Sequence, residues 1–360
     1  MSGDSRKPTS NPPAAYRACP QPPSLPERLQ DLAPAQAHFC LRILRGMEKT
    51  LGRPLKGSAL FAAFSGGADS TALLLALRWL RPKAGFTLQA LHLDHGLRPS
   101  SATEAEYCRR FCSGLGLECG VRSLNLKNEG VRGVEERARK ARYAFFAEKT
   151  AETPDSLIAL GHNGNDLAED ILMRLIRGAG WPGLSGMRAY DRQRALIRPL
   201  LGIPRTRIEG FLADLGIVWL RDESNLDRAF LRNRVRLDIL PLILRENPSF
   251  LEAAAGLRLL GGADEEYFAA LLADAAPQAP GREIFISGQR LAGLHKALRL
   301  RLYKKILDAL GPGQARLATL LEADAAWLAG GEPTEHLLPG GKKIRIGKKG
   351  LSFFAAGEIP

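Results

Sequence analysis

From Ala35 to Ile176 the chain alternates two hydrophobic rhythms. Short, nearly continuous apolar runs at Ser58–Phe64, Phe86–Leu93, Cys119–Leu126 and Ser156–Leu160 have the length of buried strands. Between them, apolar residues spaced three and four apart mark helices over Ala35–Gly52, Thr71–Leu80, Ser101–Leu115, Val134–Thr150 and Asp166–Ile176. This alternation predicts an α/β fold, a doubly wound parallel sheet with helices on both faces. Ligands of such sheets bind at the carboxyl ends of the strands, so the loops at Ser65, Asp94 and His162 should converge. From Ile203 the pattern is mainly helical, over Pro204–Leu215, Leu231–Leu244, Ser249–Leu272, Leu294–Leu310 and Gln314–Leu328. Three short strands follow, at Glu335–Leu338, Lys342–Ile346 and Leu351–Ala355. Four regions result: a proline-rich arm over 1–34, read as disordered, an α/β domain over 35–245, a helical domain over 246–330 and a short β-rich tail over 331–360.

Composition narrows the class. The chain has 51 Lys plus Arg against 38 Asp plus Glu, a net charge of +13, which favours polyanionic partners such as nucleic acid over a small neutral substrate. No apolar stretch is long enough to span a bilayer and the start lacks a secretion signal, so no membrane partner and a cytoplasmic location are expected. Cys19, Cys40, Cys108, Cys112 and Cys119 are odd in number and lack paired metal spacing, as expected of buried free thiols in a reducing compartment.

The candidate chemistry sits in the loops. Ser65-Gly66-Gly67-Ala68-Asp69-Ser70 lies between the first strand and a helix, the arrangement in which backbone amides and a helix N-terminus cradle phosphate. It lacks the Gly-Lys-Ser/Thr of the common nucleoside-triphosphate loop and resembles the loop of ATP pyrophosphatases, which cleave ATP to AMP and pyrophosphate while adenylating a substrate oxygen. The second strand ends in His92-Leu93-Asp94-His95-Gly96-Leu97-Arg98, with His92 and Asp94 on one face. The fourth runs into Gly161-His162, then Asn165, Asp166, Glu169 and Asp170. A helix starting near Asn165 would place Asp166 and Asp170 on one face, with Asn165 as a candidate N-cap. Arg232, Arg234 and Arg236 alternate in a run that suits either a solvated face or phosphate recognition.

In order along the chain, these residues resemble the tRNA(Ile)-lysidine synthetases. The likeness runs through the Ser65–Ser70 loop, His92 to Arg98, Glu135 with Ala138-Arg139 and Arg142-Tyr143, then Gly161-His162 with Asp166 and Glu169. It continues through Arg177-Gly178, Arg198-Pro199-Leu200-Leu201, Asp222 with Ser224-Asn225, and Arg232 to Arg236. It covers roughly residues 55 to 250.

The resemblance implies a PP-loop ATPase domain of the adenine nucleotide alpha hydrolase-like kind over 35–245 and a tRNA- or substrate-binding role for 246–330. It implies an ATP-dependent ligase that joins free L-lysine to carbon 2 of the wobble cytidine of the CAU-anticodon isoleucine tRNA, through an adenylated cytidine, releasing AMP and pyrophosphate. ATP would be held by Ser65, Gly66, Gly67, Ala68, Asp69 and Ser70 with His92 and Asp94, and Mg2+ by Asp69 and Asp166. Catalysis would rest on Asp69, His162 and Asp166, and tRNA or phosphate contacts on Arg98, Arg139, Arg142, Arg232, Arg234 and Arg236. Asn165 departs from the family pattern, where a second acid is frequent. Two alternatives stay open: a tRNA base-thiolating enzyme with the same loop, for which the chain offers only Cys108 and Cys112 four apart, and a non-catalytic basic RNA-binding module.

Overall fold

The computed structural model describes residues 25–94, 96, 101–124, 134–220, 227–273, 283–330, 333–355 and 357 of the 360. The chain divides into two compact units, Met1–Ala179 with Ser185–Arg258, and Gly180–Leu184 with Leu259–Pro360.

The first unit runs α1 (Pro34–Leu51), β1 (Ala59–Ala63), α2 (Ala68–Ala84), β2 (Thr87–Asp94), α3 (Ser101–Gly114), β3 (Cys119–Ser123), α4 (Val134–Glu152), β4 (Ser156–Ala159), α5 (Gly164–Ile176), β5 (Tyr190–Asp191), β6 (Leu196–Ile197) and α6 (Arg205–Asp214). Its six strands lie in the order β3-β2-β1-β4-β6-β5. All neighbours are parallel except β5, which folds back on β6 as an edge hairpin.

Alternation along the strands explains the two helical layers. Leu60 and Ala62 of β1 point into a core with Ile43 and Met47 of α1, Leu73 and Leu77 of α2, and Leu212 of α6. Phe61, between them, points to the other face, where Leu91, Ile158 and Leu160 meet Phe145 and Phe146 of α4. Helices therefore cover both faces, as the apolar strands require.

Part of the arm read as disordered is docked. The Pro26 carbonyl accepts the Trp79 indole N–H at 2.7 Å, and Leu32 is buried in the same core. Later in the unit, α7 (Leu231–Arg234) passes through one π turn, Val235–Ile239, into α8 (Leu240–Glu246). Pro241 accounts for the turn, because its ring excludes the carbonyl four residues back and it supplies no N–H. Val235 and Leu240 pack against Leu167 and Ile171 of α5, which fixes this helix beside the one that follows β4. The unit closes with the start of α9 (Phe250–Leu271).

The second unit holds the remainder of α9, β7 (Glu283–Ser287), α10 (Gly288–Ala292), α11 (Lys296–Ala309), α12 (Leu317–Leu328), β8 (Thr334–Leu338), β9 (Lys342–Gly347) and β10 (Gly350–Phe354). The three tail strands join β7 in an antiparallel sheet of order β7-β10-β9-β8. Ile284, Ile344 and Phe353 on its inner face share a core with Leu302 and Ile306 of α11. Two buried polar knots sit in this unit. Asp324 accepts from Arg299 at 2.7 and 2.9 Å and from Tyr303 at 2.9 Å. Lys342 donates to the carbonyls of Leu307, Gly311 and Gly313 at 2.7, 2.9 and 2.6 Å, so its buried ammonium is hydrogen-bonded on all three protons. Among the described residues no helix is long and apolar enough to cross a membrane.

Candidate functional site

The loop after β1 is built to leave its amides available. Gly66 has φ +77°, and a Cβ there would stand 2.7 Å from Leu220 Cδ1, so only glycine fits. The Ser70 hydroxyl closes the turn by donating to the Gly67 carbonyl at 3.0 Å and accepting from the Ser65 amide at 3.2 Å. α2 then begins at Ala68, and its N-cap, Gly67, offers no side-chain acceptor to the first-turn N–H groups. Those donors, with the positive end of the helix dipole, form an anion site that no side chain among the described residues caps.

The opposing wall comes from the loop after β4. Gly161 lets it approach, since a Cβ there would lie 3.1 Å from the Asp69 carbonyl carbon and the Ser70 nitrogen. Asn163, not Asn165, is the N-cap of α5. Its side-chain oxygen accepts from the amides of Asn165 at 2.8 Å and Asp166 at 3.1 Å, while Asp166 Oδ2 accepts from the Asn163 amide at 3.0 Å. The same Asn163 donates through Nδ2 to Asp69 Oδ1 at 2.8 Å, tying the phosphate loop to the acidic helix. Sequence reasoning missed this residue, although Asn-x-x-Asp is the spacing of a reciprocal cap. Asn165 instead secures the start of α6, where its side chain accepts from the Arg205 amide at 3.0 Å. Burial pushes the Asp69 carboxyl above its ordinary range, the Asn163 hydrogen bond opposes this, and the nearby Asp166 charge adds to it.

On α5, Asp166 and Glu169 face the run from Arg232 to Arg236, and Asp170 turns away to pair with Arg174 at 2.8 Å. Helical spacing puts Arg232 and Arg236 on one side, where both meet these acids. Arg232 donates to Asp166 Oδ1 at 2.7 Å and Glu169 Oε2 at 3.1 Å; Arg236 donates to Asp166 Oδ1 at 2.9 Å and Glu169 Oε1 at 2.7 Å. Glu169 is fully buried, and two acids face two guanidinium groups. Arg234 lies on the other side of the helix, donating to the carbonyls of Arg228 and Ala229, both at 2.8 Å.

His162 stands at the carboxyl end of β4, where its Nδ1 accepts from Arg198 Nε at 3.3 Å. An arginine can only donate, so the neutral ring carries its proton on Nε2. Burial pulls the His162 pKa down to about 4, Asp166 opposes this, and the charges of Arg198 and Arg232 reinforce it. Arg139 and Arg142 are exposed, the former lying over the Tyr143 ring. His92 is buried and donates from Nδ1 to the Phe64 carbonyl at 2.9 Å, bracing the loop from behind. Asp94 accepts from the Gly96 amide at 2.8 Å. Arg98, Asp222, Ser224 and Asn225 lie outside the described residues. Cys40, Cys108 and Cys112 are buried thiols, and the half-buried Cys119 opens β3, at the amino end of the strands, away from the loops that converge on Asp69.

The PP-loop domain family matches residues 41–243. The chain is 41% identical over 328 residues to the tRNA(Ile)-lysidine synthase of Nitratidesulfovibrio vulgaris, covering 85% of this chain and 94% of that protein. It is 35% identical over 272 residues to the tRNA(Ile)-lysidine synthase of an Azoarcus species, covering 73% of this chain and 59% of the relative. Among solved structures, the U34-tRNA thiolase NcsA from Methanococcus maripaludis superposes with a TM-score of 0.53 at 20% identity, covering 62% of this chain and 79% of that one, a likeness of fold.

Proposed function

Because the chain belongs to the tRNA(Ile)-lysidine synthase family of PP-loop enzymes, we propose that it ligates lysine to the wobble cytidine of a CAU-anticodon isoleucine tRNA at the expense of ATP. The observation that carries this reading is the joining, through Asn163, of an open phosphate loop to an acid–arginine cluster at one sheet edge.

In the first step the O2 of cytosine attacks the α-phosphorus of ATP, and the bond to pyrophosphate breaks. The first-turn amides of α2 take up the charge growing on the phosphate oxygens. In the second, the ε-amine of lysine attacks carbon 2, and the bond from that carbon to the adenylated oxygen breaks to release AMP. Free lysine has an ε-amine pKa near 10.4, so a proton must leave before attack.

His162 is a positioning group in this scheme. Its Nδ1 lone pair is taken by Arg198, which leaves Nε2–H as a hydrogen-bond donor. Arg232 and Arg236 hold the Asp166 and Glu169 carboxylates in place, so these acids fix the wall of the site beside His162 and lend it negative potential.

Magnesium fits Asp69. A desolvated carboxylate beside another acid is relieved by a cation, and magnesium needs one or two carboxylates when phosphates complete its shell. Asp166 is a poorer ligand, since Oδ1 is shared by two guanidinium groups and Oδ2 by an amide. Bound there, the ion would neutralise charge on the leaving pyrophosphate. The thiolation alternative draws no support from Cys108 and Cys112, buried thiols on α3, or from Cys119 at the amino end of β3.

The test is an incubation of the protein with ATP, magnesium, labelled lysine and the CAU transcript. Label should enter RNA with one AMP and one pyrophosphate formed per lysine. ATP consumption that does not require the transcript, or label absent from RNA, would sink the reading.

A further inference from the structure

The first unit carries a second concentration of positive charge, centred on Tyr143 of α4. The guanidinium carbons of Arg139 and Arg194 each lie 5.5 Å from the centroid of its ring, and Arg198 hydrogen-bonds the same side chain. Arg198 is half-buried; its other hydrogen bonds run to neutral groups, His162 Nδ1 at 3.3 Å and the Arg188 carbonyl at 2.7 Å, while the charges of Asp191 and Asp170 act on it without a direct bond. Arg192 and Arg194 are exposed in the turn between β5 and β6, and the Arg194 side chain is 60% accessible. The last residue of β5, Asp191, offers the turn one carboxylate, at 3.0 Å from Arg194, and with the Arg194 side chain mostly in water a single pair of that kind contributes little.

Two guanidinium groups on one ring, with Arg198 beside them, repel each other and gain only a modest cation–π attraction, so the arrangement suits an anion. A guanidinium laid on an aromatic face keeps its N–H edge free, the geometry that grips phosphate oxygens in pairs. The place identifies which phosphate. Arg194 precedes β6 and Arg198 follows it, one strand in from the edge of the sheet; β4 lies between β6 and β1, so the clamp is offset by two strand spacings, about 10 Å, from the strand that ends in the phosphate loop. That offset, across β4 from the first-turn amides of α2, suits an anion beside the phosphates those amides would hold. The Arg198 link to His162 points it at the nucleotide next to the base being modified.

We propose that Tyr143, with Arg139 and Arg194 held on its ring, clamps the phosphodiester backbone of the substrate RNA beside His162. The identity of that RNA rests on the function proposed above; the clamp itself rests on the geometry.

Two measurements separate the claims. Filter binding of the CAU transcript needs no chemistry, and steady-state lysine transfer then reports KM and kcat. Arg194→Ala should weaken binding and raise KM for tRNA several-fold, leave kcat and the KM for ATP unchanged, and make the dependence of log affinity on log salt shallower by about 0.7 to 0.9, the loss of one phosphate contact. Asp191→Asn, which removes the competing carboxylate, should tighten RNA binding, an effect that a structural role for the hairpin would not produce. Tyr143→Phe should keep RNA affinity near the wild type and Tyr143→Leu should match Arg194→Ala. An unchanged salt slope in Arg194→Ala, or a rise in the KM for ATP in place of that for tRNA, would overturn the clamp. Wild-type protein that binds the transcript with the full slope but transfers no lysine would instead overturn the proposed reaction and leave the clamp standing.

Discussion

In the proposed reaction Asp69 is the residue on which the phosphate chemistry turns, because it belongs to the loop, meets Asn163 and feels the charge of Asp166. Asp69→Asn keeps the shape and removes the charge. It should abolish AMP formation while leaving tRNA affinity within about twofold, since the change is remote from the exposed arginines; an equal loss of tRNA binding in a filter assay would contradict this. His162 supplies a pH signature. Its folded pKa of about 4 lies below the ordinary value of 6.5, so between these values the unfolded chain binds the extra proton and the folded one does not. Stability from this group is therefore complete above pH 6.5 and lost as pH falls toward 4, by on the order of 3 kcal/mol at most. Thermal melts of His162→Gln should fall less between pH 7 and pH 5 than those of the wild type. Equal slopes would show that the ring is not held neutral. The loop and His162 were legible in the sequence because local order and a nearby strand end mark them. Asn163 and the Glu169 pairing were not, since the first depends on which of two asparagines caps the helix and the second on where α7 lies.

At the scale of elements, the strand and helix pattern carried through well, as buried parallel strands leave unbroken apolar runs. Besides the β5–β6 hairpin, two features escaped it. One is β7, a five-residue strand whose partner β10 lies more than sixty residues away. The other is the docking of residues 26 to 32, a stretch whose prolines suggested disorder while the Trp79 indole and Leu32 fasten it. Relative to a chain beginning at residue 25, a deletion through Leu32 strands the indole N–H and exposes the Leu32 site. That should cost about 3–5 kcal/mol in urea unfolding. A loss below about 1 kcal/mol would mean that the segment lies on the core without stabilising it.

For the molecule as a whole, an open phosphate loop, a closed acid–arginine cluster and an arginine-flanked tyrosine occupy one unit, and the net charge of +13 suits the RNA it is proposed to modify. The second unit builds its core around buried ion and lysine knots that no local pattern announces, because they depend on residues brought together from distant elements. The most direct test of the central claim is the mass of the wobble nucleoside after the CAU transcript has been incubated with the protein, ATP, magnesium and lysine and then digested. The account predicts cytidine converted to its lysine adduct at that position, in the wild type and not in Asp69→Asn. A wobble cytidine left unchanged, or one that gains sulfur, would contradict it.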